Sequence, residues 1–174
     1  KELASRGIKS YKGLLEFIAK LPYGRTSSRG DFMTLFTEGK GTCSLKHGFL
    51  AEMAELNGHP EIELMVGIFL MNGNYAPAIK PILEAHKLDH IPEAHCYLRM
   101  NGKRYDFTNE QAKSLKFEAF LVREQRCEPQ QLVEWKPMIH KHYLAAWLKR
   151  KKLPFSEKQL WEIRENCIQA LSKP

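Results

Sequence analysis

The chain lacks any long hydrophobic run, and this absence argues against a membrane-spanning helix. No uninterrupted apolar stretch approaches the ~20 residues that such a helix needs. The first residues, Lys1-Glu-Leu-Ala-Ser-Arg6, also lack the apolar centre of a secretory signal. We therefore expect a cytoplasmic protein that makes no membrane contact.

The chain has few cysteines, and they do not form a recognisable pattern. The four cysteines, at positions 43, 96, 127 and 167, have neither the spacing of a disulfide scaffold nor that of a zinc site. His86 and His90 have helical i, i+4 spacing, but they lack the glutamate of the metalloprotease motif, and Leu88-Asp89 is expected to end the helix before His90. We expect a reducing compartment and no metal or other cofactor.

No internal repeat, low-complexity tract or linker is visible, and the composition is that of a globular protein. The 174 residues are 43% hydrophobic and 27% charged, which suits one domain with a buried core. The net charge of +7 includes the cluster Lys149-Arg-Lys-Lys152, but no aromatic stacking platform accompanies it. A solvated helix end explains this cluster, so we predict no nucleic-acid partner.

Periodicity and turn residues predict an α+β fold. Helices are expected over residues of about 8–21, 31–38, 43–57 and 78–88, and strands over 62–70 and on both sides of Asn101-Gly102. After Thr108 we expect a helical chain, over about 128–150 with a break or kink at Pro137, and again from the capping box Ser156-Glu-Lys-Gln159 to about Leu171. This order favours a small antiparallel sheet within a core of about residues 8–110, and a helical C-terminal third, about 111–172, packed on that core as one domain over 1–174.

Cys43 lies where a thiol becomes a nucleophile. It follows Gly41-Thr42 and precedes apolar residues at the spacing of a buried helical stripe, namely Leu45, Phe49, Met53 and Leu56. Asn57-Gly58 supplies a left-handed helix end. Cys43 is therefore expected in the first helical turn, where unpaired N–H groups and the helix dipole favour a thiolate.

A predicted hairpin supplies partners for this thiol. Asn101-Gly102 is typical of a type I′ turn, and the register pairs Met100 with Lys103, Leu98 with Tyr105, and Tyr97 with Asp106. His95 and Asp106 then lie diagonally on one polar face, expected to be opposite the core face, within side-chain reach of each other. An aspartate there can fix the histidine tautomer and leave the other ring nitrogen as a base, which completes a nucleophile–base–orienter set.

At these residues the chain resembles the transglutaminase-like superfamily, whose members have a papain-like fold. The matching pieces are Gly41-Thr42-Cys43 at a helix start, Gly58-His59-Pro60 before an apolar strand, Ala94-His95 at a strand start, and Tyr105-Asp106 on the next strand. The resemblance covers roughly residues 40–108. It implies a Cys43–His95–Asp106 triad in which the cysteine attacks an acyl carbon.

Other side chains are candidates for contacting the substrate or its oxyanion. They are Tyr23, Arg25 and Ser27 in the loop at 22–30, Tyr97 on the polar hairpin face, and His47. His47 follows Cys43 by four residues, so it lies on the same side of the helix and is an alternative base.

We therefore expect cysteine-dependent acyl transfer or hydrolysis at an amide, thioester or ester carbonyl, through an acyl-enzyme on Cys43. The substrate would be a peptide, a protein or a small acyl compound. The alternative is a non-catalytic papain-fold module that binds a peptide or a partner protein.

Overall fold

The computed structural model describes residues 2–110, 112 and 116–171, which form a mixed α+β structure. Within them lie seven α-helices: α1 Glu2–Ser5, α2 Tyr11–Lys20, α3 Thr34–Thr37, α4 Cys43–Leu56, α5 Lys80–Ala85, α6 Trp135–Lys151 and α7 Glu157–Leu171. A four-stranded antiparallel sheet is formed by β1 Glu63–Asn72, β2 His90–Met100, β3 Lys103–Tyr105 and β4 Leu121–Arg126. Short 3-10 helices lie at Pro77–Ile79, Lys116–Phe120 and Pro129–Leu132. The predicted α+β class is thus confirmed, and none of the helices in these residues is long and apolar enough to cross a membrane.

The chain divides into two compact units. The first contains Lys1–Val66, His95–Leu115 and Gln125–Val133, and the second contains Gly67–Ala94, Lys116–Glu124 and Glu134–Pro174. All three residues of the predicted triad belong to the first unit, whereas α5, α6 and α7 belong to the second. The predicted border between a core and a C-terminal extension falls at residue 111, which lies outside the described residues. A single domain stays a prediction.

The hairpin of β2 and β3 has the predicted turn and register. It pairs Leu98 with Tyr105, Arg99 with Arg104, and Met100 with Lys103. Asn101 and Gly102 have φ angles of 50° and 74°, and a type I′ turn needs positive φ at both central residues. The ladder ends with Tyr105, so the predicted pair of Tyr97 with Asp106 is not part of it, and Asp106 lies just beyond β3 rather than within it.

Both faces of the central strands are buried. Consecutive residues from Leu64 to Phe69 in β1, and from Ile91 to Leu98 in β2, are all buried. The hairpin face that carries His95 and Tyr97 was expected to lie away from the core, and this expectation was wrong, because those residues are only 7% and 0% exposed. The near-continuous apolar sequence of β1 is typical of a strand that is covered on both sides.

Helix α4 is the central helix of the first unit. The side chain of Thr42 caps it by accepting from Leu45 N–H at 3.4 Å, and Gly58 follows its end with a φ of 78°. Every residue of its first half, from Cys43 to Phe49, is buried except Ser44, whereas Leu56 at its end is 72% exposed. The predicted apolar stripe is therefore correct at its start and wrong at its end.

The C-terminal part of the chain differs from the expected run of helices. The strand β4 was not predicted. It lies at the edge of the sheet, and its mostly exposed, charged sequence lacks the alternation of apolar and polar residues that indicates a strand. Pro137 does not break α6, since it lies in the first turn, where no backbone donor is needed. The capping box before α7 is confirmed, since Ser156 N–H donates to Gln159 Oε1 at 2.8 Å and Gln159 N–H donates to Ser156 Oγ at 3.2 Å.

Candidate active site

Cys43 is the first residue of α4, and the segment before it is held by backbone pairing. Gly24 N–H donates to Gly41 O at 3.3 Å, and Gly41 N–H donates to Pro22 O at 3.1 Å. A Cβ atom at Gly41 would lie 2.5 Å from Leu35 Cδ2, so only glycine fits this close approach without a shift. This pairing and the helix start together fix the position of the thiol, which is in a residue only 7% exposed.

His95 and Asp106 form the predicted pair. His95 Nε2–H donates to Asp106 Oδ2 at 2.6 Å. The other carboxylate oxygen, Oδ1, accepts from Thr108 N–H at 2.9 Å and from Thr108 Oγ1–H at 2.6 Å. Three donors therefore hold the carboxylate, which in turn fixes the orientation of the imidazole.

The thiol of Cys43 hydrogen-bonds to His95, which links the three residues in a chain. Because Nε2 is occupied by Asp106, the nitrogen left for the thiol is Nδ1. Burial by itself would lower the pKa of His95, but the charges of Asp106 and Cys43 outweigh it and raise this pKa to about 10. The Asp106 carboxyl is also buried, yet His95 holds its pKa below the usual range. These directions favour a carboxylate on Asp106 and an imidazolium on His95 at neutral pH, and an imidazolium in contact with a cysteine favours its thiolate form.

His47 lies beside the triad but is occupied on both ring nitrogens. Phe107 N–H donates to its Nε2 at 2.8 Å, so Nε2 carries no proton and Nδ1–H donates to Cys43 O at 2.9 Å. The residue is 0% exposed, and burial lowers its pKa, which keeps the ring neutral. His47 thus joins the start of α4 to the end of the hairpin, and neither the alternative-base role nor the substrate-contact role fits this position.

Lys46 is a neighbour of the triad that the sequence pattern did not single out. Its side chain is 0% exposed, and Nζ donates to Thr108 O at 2.6 Å and to Leu21 O. Burial lowers the pKa of Lys46 to about 8, against the opposing effects of Asp106 and Cys43. The available signal was its position three residues after Cys43, which places it on the same side of the helix.

Three further candidates come from the loop at 22–30. Tyr23 forms a parallel bridge with Gly41, so it lies close to the nucleophile segment. Arg25 is exposed, and Ser27 is bound elsewhere, since its N–H and Oγ–H donate to Glu38 Oε1 at 2.9 and 2.6 Å.

Tyr97 is fully buried. Its ring lies roughly parallel to that of His95, with 6.2 Å between the ring centroids. It therefore packs against the imidazole and is not placed to contact a substrate.

Comparisons with protein-family models, with curated proteins and with solved structures gave no match to this chain. Within the described part of the chain, no three histidine, cysteine, aspartate or glutamate side chains form a group that could hold a metal ion. The function therefore has to be inferred from the geometry of the site.

Proposed function

We propose that the chain is a cysteine-dependent acyl transferase or hydrolase with a transglutaminase-like, papain-like core. The observation that carries this proposal is the hydrogen-bonded chain from Asp106 through His95 to Cys43. Nucleophile, base and orienter are in contact in the order that covalent acyl transfer requires.

In the proposed reaction, Cys43 Sγ attacks the carbonyl carbon of an amide, thioester or ester. A carbon–sulfur bond forms and the carbonyl electrons move to oxygen. His95 Nδ1–H then gives its proton to the leaving group as the bond to that group breaks, which leaves an acyl-enzyme. Water or an amine attacks this intermediate, His95 takes the proton of the attacking group, and Sγ leaves as the thiolate.

The first turn of α4 is suited to stabilise the oxyanion. Cys43 is its first residue, and N–H groups in a first helical turn point along the axis without intrahelical acceptors. We therefore assign one oxyanion contact to the Cys43 backbone N–H. The segment at 22–24 lies beside Gly41, and we expect Tyr23 to contact the substrate there.

A second candidate function is a non-catalytic module that binds a peptide or a partner protein. It is favoured by the low exposure of the site, since Cys43 and His95 are each only 7% exposed. In such a module the three residues would stabilise the fold without turnover.

Activity-based labelling separates the two functions. The protein is treated with a panel of acyl probes, comprising thioesters, activated esters and fluorogenic peptide amides, and the labelled peptide is identified by mass spectrometry. Acylation of Cys43 that turns over, and that is lost in Cys43→Ala, supports the enzyme. Cys96→Ala is the matched control, since Cys96 is also buried in the first unit and should remain unlabelled. A folded protein whose Cys43 accepts no acyl group from any probe would favour the binding module.

A further inference from the structure

Lys46 brings a cation into the interior beside the triad. No part of the residue is exposed, and its Nζ donates to two backbone carbonyl oxygens, those of Leu21 and Thr108. Carbonyl oxygens satisfy the N–H groups of an ammonium but do not cancel its charge. A buried charge without a nearby opposite charge is energetically costly, so Lys46 requires a negative charge close to it.

The compensating charge lies in the triad. A thiolate on Cys43, an imidazolium on His95 and a carboxylate on Asp106 together carry one net negative charge. Lys46 follows Cys43 by three residues on α4, and both Cys43 and Asp106 interact favourably with its ammonium. With Lys46 included, the four buried groups sum to zero.

We propose that Lys46 is a positioning residue whose buried ammonium holds Cys43 in the thiolate form by balancing the charge of the triad. This inference rests on the proposed function, because it needs Cys43 to be the nucleophile. The ionisable groups that interact with the thiol are His95 from β2, and Lys46 and His47 from α4; Asp106, after β3, interacts with each of these three. Of these, His47 is neutral because its Nε2 accepts a hydrogen bond.

The contacts of Lys46 also place it between the two segments that flank the site. Leu21 comes just before the segment that pairs with Gly41, and Thr108 donates twice to Asp106. The pKa of Lys46, about 8, leaves most of the side chain charged at pH 7. The positive charge of Lys46 is therefore present beside the triad at pH 7.

The test is the rate at which iodoacetamide, a neutral reagent, alkylates Cys43 as a function of pH. Two unit charges roughly 6–12 Å apart at an effective dielectric constant of about 20 change a pKa by about one to two pH units. We expect Lys46→Met to move the midpoint of the alkylation profile upward by this amount. Lys46→Arg, which keeps the charge, should retain the profile if the protein folds.

Lys40→Met is the matched control. Lys40 precedes Cys43 by three residues, as Lys46 follows it by three, but its side chain is 42% exposed. The same loss of charge there should leave the midpoint unchanged. A folded Lys46→Met protein with the wild-type midpoint would overturn the proposal, since a purely structural lysine does not move this profile.

A second comparison covers the case in which Lys46→Met does not fold. Adding Asp106→Asn removes one negative charge and returns the site to neutrality, so the double variant should fold where Lys46→Met alone does not. If the double variant also fails to fold, Lys46 is a structural cross-link and the proposal is overturned. Because alkylation requires no acyl substrate, these results stand even if no acyl probe labels Cys43, an outcome that would reject the proposed function alone.

Discussion

Replacing Asp106 with asparagine keeps the size of the side chain but removes the charge that His95 Nε2–H meets at 2.6 Å. The new amide can still accept from Thr108 through its oxygen, but its NH₂ group would face the donor of His95. The imidazole then favours the other tautomer, with the proton on Nδ1 and Nε2 accepting. In that state His95 cannot take a proton from Cys43 at Nδ1.

The magnitude follows from the contacts that are lost. Asp106 is only 5% exposed, and one charge-assisted hydrogen bond there contributes about 1.5–3 kcal/mol to the free energy of unfolding. For a chain of 174 residues, each kcal/mol lowers Tm by about 2–4 °C, so we expect a loss of roughly 3–12 °C. The rate of Cys43 acylation should fall by about 10²–10⁴-fold, as expected when an orienting carboxylate is lost from a triad.

The assay combines thermal unfolding with acylation rates at pH 7, measured on Asp106→Asn and on Asp89→Asn as a control. Asp89 is exposed, so the same chemical change there should alter neither quantity. If Asp106→Asn lowers Tm by the expected amount but leaves the reactivity of Cys43 unchanged, Asp106 only stabilises the hairpin. The three residues would then not act as a unit, and the proposed mechanism would be refuted.

Thiol reactivity, helix packing and pH dependence are open to test in the same way. Among the four cysteines, Cys43 should be alkylated first at pH 7, as measured by quantitative peptide mapping, and faster reaction of another thiol would remove it as the nucleophile. Gly48→Ala should destabilise the protein by about 1–3 kcal/mol in urea unfolding, because the added Cβ would lie 2.7 Å from Leu132 Cδ1, and a neutral or stabilising effect would contradict this packing. Stability should fall as the pH rises from about 8.5 to about 10, because the folded pair of Cys43 and His95 keeps the proton on His95 up to a pKa of about 10, whereas the unfolded chain holds that proton on the thiol only up to about 8.5. It should also fall below about pH 6.5, because burial lowers the pKa of His47 and the unfolded chain binds that proton more readily; a flat curve of stability against pH would contradict both effects.

The parts of the site with local signals were predictable from the sequence. The Thr42 cap and the helical spacing after it place Cys43 at the start of α4. The Asn101-Gly102 turn fixes the register of the hairpin and so brings His95 near Asp106. Both signals depend on residues that are close in the chain, where propensity and turn chemistry decide the structure.

The remaining parts depend on packing between distant segments. Lysine is usually exposed on a helix, and the carbonyl groups of Leu21 and Thr108, with the charges of Asp106 and Cys43, make the burial of Lys46 possible. His47 is buried for a similar reason, since Phe107 N–H supplies its second hydrogen bond. Periodicity cannot show that a helix is covered on all sides, so it predicted the stripe at Leu45 but not the buried polar face beside it.

The hairpin has a consequence for the order in which the site assembles. His95 and Asp106 are joined by a short loop, whereas Cys43 comes from an element much earlier in the chain. Closing a short loop costs less entropy than bringing distant segments together, so we expect the histidine–aspartate contact to form before α4 docks. Until then the thiol has the ordinary cysteine pKa of about 8.5 and is mostly protonated at neutral pH. We therefore expect Cys43 to become a reactive thiolate only when the first unit is complete, so that its reactivity toward alkylating and oxidising reagents reports the folding of the site.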